Sequence, residues 1–194
     1  MNSGKKKSAA ESAGILLNKK KCAIFVLLWV NFTKRCVKRR DTHEKVRGLC
    51  GKYSGLSEPG IIFRDVTSIL QDAEGLKLAI DSLQAELDGL DFDVIAGTES
   101  RGFIFGMPIA YNLHKPFVLV RKKGKLPRET VSASYDLEYG SAEIEMHKDS
   151  IKPGQKVVLI DDLIATGGTI EAAAKLVESL GGEVVRIIFL MELA

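Results

Sequence analysis

The sequence lacks the long apolar run that a membrane-spanning helix needs. Residues 22–30, CAIFVLLWV, form an uninterrupted apolar run of nine residues, whereas a helix needs roughly 20 to cross a bilayer. A basic stretch precedes this run, as in a secretory signal, but no small-residue cleavage site follows and residues 31–40 are strongly polar. We therefore expect neither membrane insertion nor secretion.

Cysteine and histidine are also scarce. The chain has three of each, and Cys22, Cys36 and Cys50 form no C-x-x-C pair with histidine partners, which argues against a zinc site. The histidines show no metal-binding or nucleophile arrangement. An odd number of cysteines without a secretory signal favours reduced thiols, and hence a cytoplasmic protein.

The net charge of +3 conceals two different compositions. Residues 1–50 contain 13 Lys and Arg against 3 Asp and Glu, whereas the other 144 residues contain 15 against 22. We therefore expect residues 1–55 to form a basic, poorly ordered extension and residues 56–194 to form one domain. Basic runs also occur in proteins that bind nucleic acids or membrane surfaces, but we favour a solvated extension with neither partner.

Apolar β-branched runs alternate with helical periodicity in the second part of the chain. Strands are predicted at 93–97, 117–120, 157–160 and 184–191, and helices at about 72–87, at 103–113 and after residue 169. Pro108 should be tolerated only near the first turn of its helix. This alternation predicts an α/β fold with a mainly parallel sheet covered by helices.

The segment 157–169, VVLIDDLIATGGT, carries the strongest chemical signal. A buried strand is followed at once by Asp161 and Asp162, at the expected carboxyl end of the sheet, where α/β folds bind ligands. Glycines and backbone N–H groups at a helix N-terminus form an anion site, and carboxylates suit sugar hydroxyls. The segment thus predicts a ribose 5-phosphate site, with both carboxylates at an exposed strand end. The predicted phosphate loop contains Ala165, Thr166, Gly167, Gly168 and Thr169.

This loop is neither a Walker loop nor a dinucleotide fingerprint, because it lacks the closing Gly-Lys-Ser/Thr and the G-x-G-x-x-G spacing. It resembles the phosphoribosyl pyrophosphate signature of the type I phosphoribosyltransferases. That resemblance implies a Rossmann-like, mainly parallel sheet flanked by helices, with a small N-terminal hood and a mobile catalytic loop. It also implies that Asp161 and Asp162 contact the ribose and that the loop holds the 5-phosphate.

Three further segments resemble the adenine branch of that family, the adenine phosphoribosyltransferases. They are PGIIFRDVT (59–67), GTESRGFIFG (97–106), and RKKGKLP followed by SYDLEYG (121–140). The resemblance implies purine salvage, in which 5-phosphoribosyl passes from phosphoribosyl pyrophosphate to adenine and gives AMP and pyrophosphate. It further implies a homodimer and Mg²⁺ held mainly by the substrate, without direct protein ligands.

The same resemblance implies roles for individual residues. Glu138 would accept the proton of the purine ring during catalysis. The adenine-binding residues would be Ile62, Arg64 and Arg101. The diphosphate-binding residues would be Ser100, Arg101, Arg121, Lys122 and Lys125.

The sequence departs from the family pattern in three places. Arg128 follows GKLP where the family usually has glycine, and residues 53–58, YSGLSE, replace an aromatic-proline approach to the hood. The chain ends where the family continues through a basic segment and a closing strand, so we expect a truncated C-terminus and an exposed sheet edge. Two alternatives stay open: a regulatory protein that senses the sugar diphosphate without catalysis, and a transferase for another purine base.

Overall fold

The computed structural model describes residues 25–27, 36–37, 51–54, 62–136 and 140–192. Residues before 66 are described at the level of the backbone. Within these ranges the strands are β1 (Phe25–Leu27), β2 (Cys36–Val37), β3 (Gly51–Ser54), β4 (Ile62–Asp65), β5 (Val94–Thr98), β6 (Phe117–Lys122), β7 (Thr130–Asp136), β8 (Ser141–His147), β9 (Lys156–Ile164) and β10 (Glu183–Glu192). The helices are α1 (Thr67–Gln71), α2 (Ala73–Ala85), α3 (Arg101–Asn112) and α4 (Gly168–Ser179).

The main sheet has a parallel centre with antiparallel strands on both sides. Its eight strands follow the order β2-β1-β10-β9-β5-β6-β8-β7, and β10, β9, β5 and β6 are parallel neighbours. Strands β3 and β4 form a separate antiparallel pair. The predicted α/β fold, with its parallel centre, is confirmed.

Strand β9 shows why the sheet needs helices on both faces. Val158 and Ile160 belong to one buried cluster, which includes Phe105 of α3. Val157 and Leu159 belong to a second cluster, which contains the apolar side of α4. Alternate side chains of a strand point to opposite faces, so a strand buried on both faces is apolar at every position. After the apolar residues 157–160, the carboxyl end of the strand carries the two charged residues Asp161 and Asp162.

The helices match their predicted positions, with one correction. Asp72 caps α2, since its carboxylate accepts a hydrogen bond from the Gly75 N–H at 3.2 Å. Pro108 lies well inside α3, although we expected it only near the first turn. The helix ends soon afterwards, at Asn112, and Phe105 and Ile109 are fully buried on either side of the proline; this packing offsets the lost backbone hydrogen bond. In the ranges given above, no helix is long and apolar enough to span a membrane.

The segment between β6 and β8 contains a strand, β7, that is not among the strands predicted from the sequence. Strand β7 pairs with β8 in antiparallel register, from Thr130 opposite His147 to Asp136 opposite Ser141. Its side chains alternate, with Val131, Ala133 and Tyr135 packed against the second core cluster. The basic residues after β6 therefore sit at the base of a β-ribbon.

Strand β10 also has an additional neighbour. Strand β1 pairs with it in antiparallel register, with Phe25 opposite Phe189 and Leu27 opposite Ile187. The expectation of an exposed sheet edge is therefore wrong for residues 187–189 of β10, which pair with β1.

Candidate active site

A cleft of about 320 Å³ lies at the carboxyl ends of β5 and β9. Because β5 and β9 are parallel neighbours, the loops that follow them meet at one edge of the sheet. The cleft is lined by the predicted residues Ser100, Arg101, Asp161, Asp162, Ala165, Thr166, Gly167, Gly168 and Thr169. Nine residues chosen from the sequence thus come together in one cleft.

The glycine loop gives the cleft an anion-binding end. Gly167 has a φ of +86° and serves as the N-cap of α4, a left-handed conformation that glycine adopts at low cost. A glycine has no side chain that could cap the helix, and the first N–H groups of a helix have no acceptor within the helix. Together with the helix dipole, these groups favour a phosphate. Thr166 and Thr169, each with a hydroxyl group, also line the cleft.

The two carboxylates differ in their surroundings. Asp162 is only 3% exposed, so the expectation that both carboxylates lie at an exposed strand end is wrong for this residue. Asp161 accepts a hydrogen bond from the Asp162 N–H at 2.8 Å. Burial raises the pKa of Asp161 to about 7. The neighbouring Thr98 hydroxyl acts to lower the pKa of Asp161. It makes no hydrogen bond of ordinary geometry, so the increase caused by burial is the larger effect.

Arg101 neutralises the buried carboxylate. Its Nε donates a hydrogen bond to Asp162 Oδ2, and its own side chain is 47% exposed. The residue begins α3, directly after the loop that leaves β5. Arg101, which is predicted to bind the diphosphate and the base, is thus hydrogen-bonded to Asp162, which is predicted to bind the ribose. The adjacent parallel strands β5 and β9 position the two residues.

A close backbone contact explains the glycine that follows Arg101. A Cβ atom at Gly102 would lie 2.7 Å from the Ile160 carbonyl oxygen and 3.2 Å from Asp161 Oδ1. A larger residue would push the start of α3 away from the end of β9. Gly102 therefore allows the Arg101 guanidinium to reach Asp162.

Arg121 is held beside the cleft by a carboxylate that the sequence analysis did not select. Glu99 accepts hydrogen bonds from Arg121 Nε at 3.1 Å and Nη2 at 3.3 Å, and from the Lys122 N–H at 3.1 Å. The Arg121 hydrogen bond is the main reason why the pKa of Glu99 lies below its ordinary value. Arg121 Nη1 donates to the Lys125 carbonyl oxygen at 3.2 Å. Glu99 stands beside Ser100 in the ESR motif, a position that could have identified it.

The remaining basic side chains have different surroundings. Lys122 and Lys125 are exposed, and within the described part of the chain no carboxylate pairs with their Nζ atoms. Arg128, which departs from the family pattern, donates to Asp149 in the turn after β8. In this basic segment, the Arg121 side chain and the Lys122 N–H contact Glu99, which lines the cleft.

The remaining predicted site residues are Ile62, Arg64 and Glu138. Ile62 and Arg64 lie on β4, opposite Ser54 and Lys52 of β3, and the backbone alone is described there. Glu138 lies outside the described residues. Tyr135 of β7 lines the cleft and also packs against the core.

Comparisons with known proteins agree on one family. Residues 66–193 match the family model described as phosphoribosyl transferase domain. An adenine phosphoribosyltransferase of Agathobacter rectalis is 78% identical over 137 residues, which are 71% of this chain and 79% of the relative.

Solved structures give the same result. The crystal structure of adenine phosphoribosyltransferase from Thermoanaerobacter pseudethanolicus has a TM-score of 0.73 and 52% identity, and the match covers 77% of this chain and 87% of that one. The enzyme from Saccharomyces cerevisiae, complexed with adenine and an imino-altritol bisphosphate, has a TM-score of 0.69 and 37% identity, with 77% and 88% covered.

Proposed function

Because this chain belongs to the adenine phosphoribosyltransferase family, we propose that it acts in purine salvage. It transfers 5-phosphoribosyl from phosphoribosyl pyrophosphate to adenine, giving AMP and pyrophosphate. The observation that carries this proposal is the cleft in which the glycine loop at the start of α4 lies beside Asp161, Asp162 and Arg101. In this cleft the glycine loop suits the 5-phosphate, the two carboxylates suit the ribose hydroxyls, and Arg101 suits the diphosphate.

The substrate is bound from its phosphate end. The loop from Ala165 to Thr169 takes the 5-phosphate with backbone N–H groups and threonine hydroxyls. Asp161 and Asp162 accept hydrogen bonds from the ribose hydroxyls, and Ser100 and Arg101 meet the diphosphate. The Arg101–Asp162 hydrogen bond is exchanged for substrate contacts on binding.

The basic segment stabilises the leaving group. As the bond between ribose C1 and the diphosphate breaks, positive charge develops on the sugar and negative charge on the leaving oxygens. Arg121, Lys122 and Lys125 supply the cations that stabilise this developing charge in the proposal, and Glu99 and the Lys125 carbonyl hold Arg121 in place before the substrate binds. Three of the five Arg121 N–H groups are occupied by Glu99 and the Lys125 carbonyl, so two are left for phosphate oxygens.

The base is held and deprotonated by other segments. The hood strand β4, with Ile62 and Arg64, grips adenine together with Arg101, partly through backbone groups that suit a flat ring with polar edges. Glu138 accepts the ring proton as adenine attacks C1. Family membership supports both assignments.

Mg²⁺ is the cofactor in this proposal and is carried mainly by the substrate. Among the described residues, no group of three or more His, Cys, Asp and Glu side chains gathers around a common point. Mg²⁺ prefers phosphate oxygens and keeps several of its waters, so a site supplied largely by the diphosphate fits this cleft. When bound, the ion neutralises charge on the leaving diphosphate.

A homodimer and a cytoplasmic location complete the proposal. Ile104, Met107 and Tyr111 lie on one side of α3 and are 42%, 55% and 81% exposed, an apolar stripe that a second copy of the chain would cover. Met107→Lys should then yield monomers in size-exclusion chromatography with light scattering, whereas the parent elutes as a dimer. The odd number of cysteines supports a reducing compartment.

The activity is tested directly with the purified chain, Mg²⁺ and phosphoribosyl pyrophosphate. Adenine should be converted to AMP, while guanine, hypoxanthine and uracil stay unreacted, as followed by chromatography. Equal conversion of hypoxanthine would show another base specificity. Binding of phosphoribosyl pyrophosphate without product from any base would show a sensor.

A further inference from the structure

We propose that Glu145, a buried carboxylate outside the cleft, positions the diphosphate-binding residues Lys125 and Arg121. This inference rests on the proposed function, because it concerns how the basic segment after β6 is held ready for the diphosphate. Glu145 lies on β8, opposite Arg121 of β6 and Ser132 of β7. It is 4% exposed.

The carboxylate of Glu145 is balanced by backbone N–H groups of the basic segment. Its Oε1 accepts hydrogen bonds from the Lys125 N–H at 2.8 Å and the Leu126 N–H at 2.9 Å. Its Oε2 accepts one from the Thr130 hydroxyl at 3.3 Å. Within the described part of the chain, no Lys or Arg side chain forms an ion pair with it. The Glu145 carboxylate thus ties the middle of the turn between β6 and β7 to Thr130, the first residue of β7.

The direction of the pKa agrees with this geometry. Burial alone would raise the pKa of Glu145, but the N–H groups of residues 124–126 outweigh it and keep the pKa below its ordinary value. The carboxylate is therefore charged at neutral pH, and charge-assisted hydrogen bonds of this kind are about twice as strong as neutral ones.

The peptide group between Lys125 and Leu126 passes this constraint on to Arg121. Its N–H, that of Leu126, donates to Glu145 Oε1, and its carbonyl oxygen, that of Lys125, accepts the hydrogen bond from Arg121 Nη1. Glu99 holds the other side of the same guanidinium. Glu145 therefore fixes Lys125 directly and Arg121 through one peptide, without touching the cleft itself.

Glu143 provides a matched control, two residues earlier on β8. It pairs with Lys123 Nζ at 2.8 Å and accepts a hydrogen bond from the Ser132 hydroxyl at 2.6 Å. These partners are exposed side chains, and neither was assigned to the diphosphate. Replacing Glu143 removes a carboxylate from the same face of the same strand without releasing the Lys125 peptide.

The experiment compares steady-state kinetics of the full chain with Glu145→Ala, Glu145→Asp, Glu145→Gln and Glu143→Ala. Glu145→Ala and the shorter Glu145→Asp should raise KM for phosphoribosyl pyrophosphate by about tenfold or more, the value of hydrogen bonds to a charged group. KM for adenine should stay within about twofold. Glu145→Gln keeps an acceptor oxygen and should recover most of the loss, and Glu143→Ala should match the parent.

Two further measurements make the result decisive. Lys125→Gln and Glu145→Asp should raise KM for phosphoribosyl pyrophosphate by less in combination than the product of their single effects, since both act through Lys125. Circular dichroism and thermal unfolding identify variants that have lost their fold, in which case the Asp and Gln variants carry the comparison. A folded Glu145→Asp variant with parental KM, or an equal rise in both KM values, overturns the inference.

The outcome also separates this inference from the proposed function. If the parent converts adenine and the Glu145 variants behave like it, the function stands and the inference fails. If the parent converts no base, calorimetric titration with phosphoribosyl pyrophosphate and Mg²⁺ replaces the kinetics. The Glu145→Asp variant should then bind about tenfold more weakly than Glu143→Ala, and equal affinities overturn the inference.

Discussion

The guanidinium of Arg101 covers the buried carboxylate of Asp162. The Asp162 side chain is 5% exposed and that of Arg101 is 47% exposed, so the two partners depend on each other unequally. Removing the arginine leaves a charge in a buried place, whereas removing the carboxylate leaves a cation that water already reaches. Gly102 makes this pair possible, because it lets the start of α3 lie against the end of β9.

The inequality predicts different costs for the two single substitutions. Arg101→Gln should lower the free energy of unfolding by about 1–3 kcal/mol, because it leaves a buried acceptor charge without its donor. Asp162→Asn should cost less than about 1 kcal/mol, since a half-exposed arginine is easily solvated. Denaturant unfolding measures both. The double variant should resemble Asp162→Asn, and a larger loss for Asp162→Asn than for Arg101→Gln would contradict this account.

The raised pKa of Asp161 predicts how the stability of the protein depends on pH. Burial raises its pKa from the ordinary value of 3.8 to about 7. Between these values the folded protein holds a proton that the unfolded chain has lost, so this group lowers stability as pH rises from about 4 to 7. Asp161→Asn removes the effect. The Tm of this variant, relative to the parent, should therefore be higher at pH 8 than at pH 5. Each ~1 kcal/mol of unfolding free energy that the variant regains corresponds to about 2–4 °C. An equal Tm difference at pH 5 and pH 8 would mean that the pKa of Asp161 keeps its ordinary value in the folded protein.

The parts of the site that could be predicted from the sequence are those in which consecutive residues share a task. The strand, the acidic pair and the glycine loop lie within 157–169, and the structure keeps them together because β9 ends where α4 begins. Parallel strands then bring the loop containing Ser100 and Arg101 to the same edge. Here local pattern and topology lead to the same cleft.

The residues that were missed act across the sheet. Glu99 and Glu145 are single carboxylates whose partners lie about 20 residues away in the chain, and a lone glutamate has no pattern that distinguishes it from a surface residue. Strand β7 did have a signal, the alternation of Val131, Ala133 and Tyr135. The segment between the motifs GKLP and LEYG was nevertheless not among the predicted strands. The burial of Asp162 depends on α3 packing over it, which no local pattern contains.

The N-terminal segment gives a prediction about solubility rather than catalysis. A chain beginning near Lys52 should keep the parental kcat and KM, because the described cleft residues all follow Thr98. Without β1, however, the edge of β10 is left unpaired, and unpaired edges promote association. Light scattering should show aggregation of this shorter chain at concentrations where the parent is stable.

A second truncation isolates the strand from the basic runs before it. A chain beginning at residue 24 removes the lysine runs around positions 5–7 and 19–21 but keeps β1 (Phe25–Leu27), so it should scatter light like the parent. If the chain beginning near Lys52 cannot bind adenine or phosphoribosyl pyrophosphate, the segment contributes to substrate binding instead.

Glu138 separates an enzyme from a sensor. Replacing it by Gln keeps its size and most of its hydrogen bonding but removes the proton acceptor, and proton transfer by a positioned side chain contributes about 10²–10⁴-fold. We therefore expect kcat for AMP formation to fall by that range. Calorimetric affinity for phosphoribosyl pyrophosphate should stay unchanged, because its proposed ligands are Asp161, Asp162, the glycine loop and the basic segment. Loss of rate with intact binding marks an interaction made in the transition state.

Glu143→Gln, on strand β8, serves as the control and should keep the parental rate. Parental kcat in the Glu138→Gln variant would assign the proton to water or to another group.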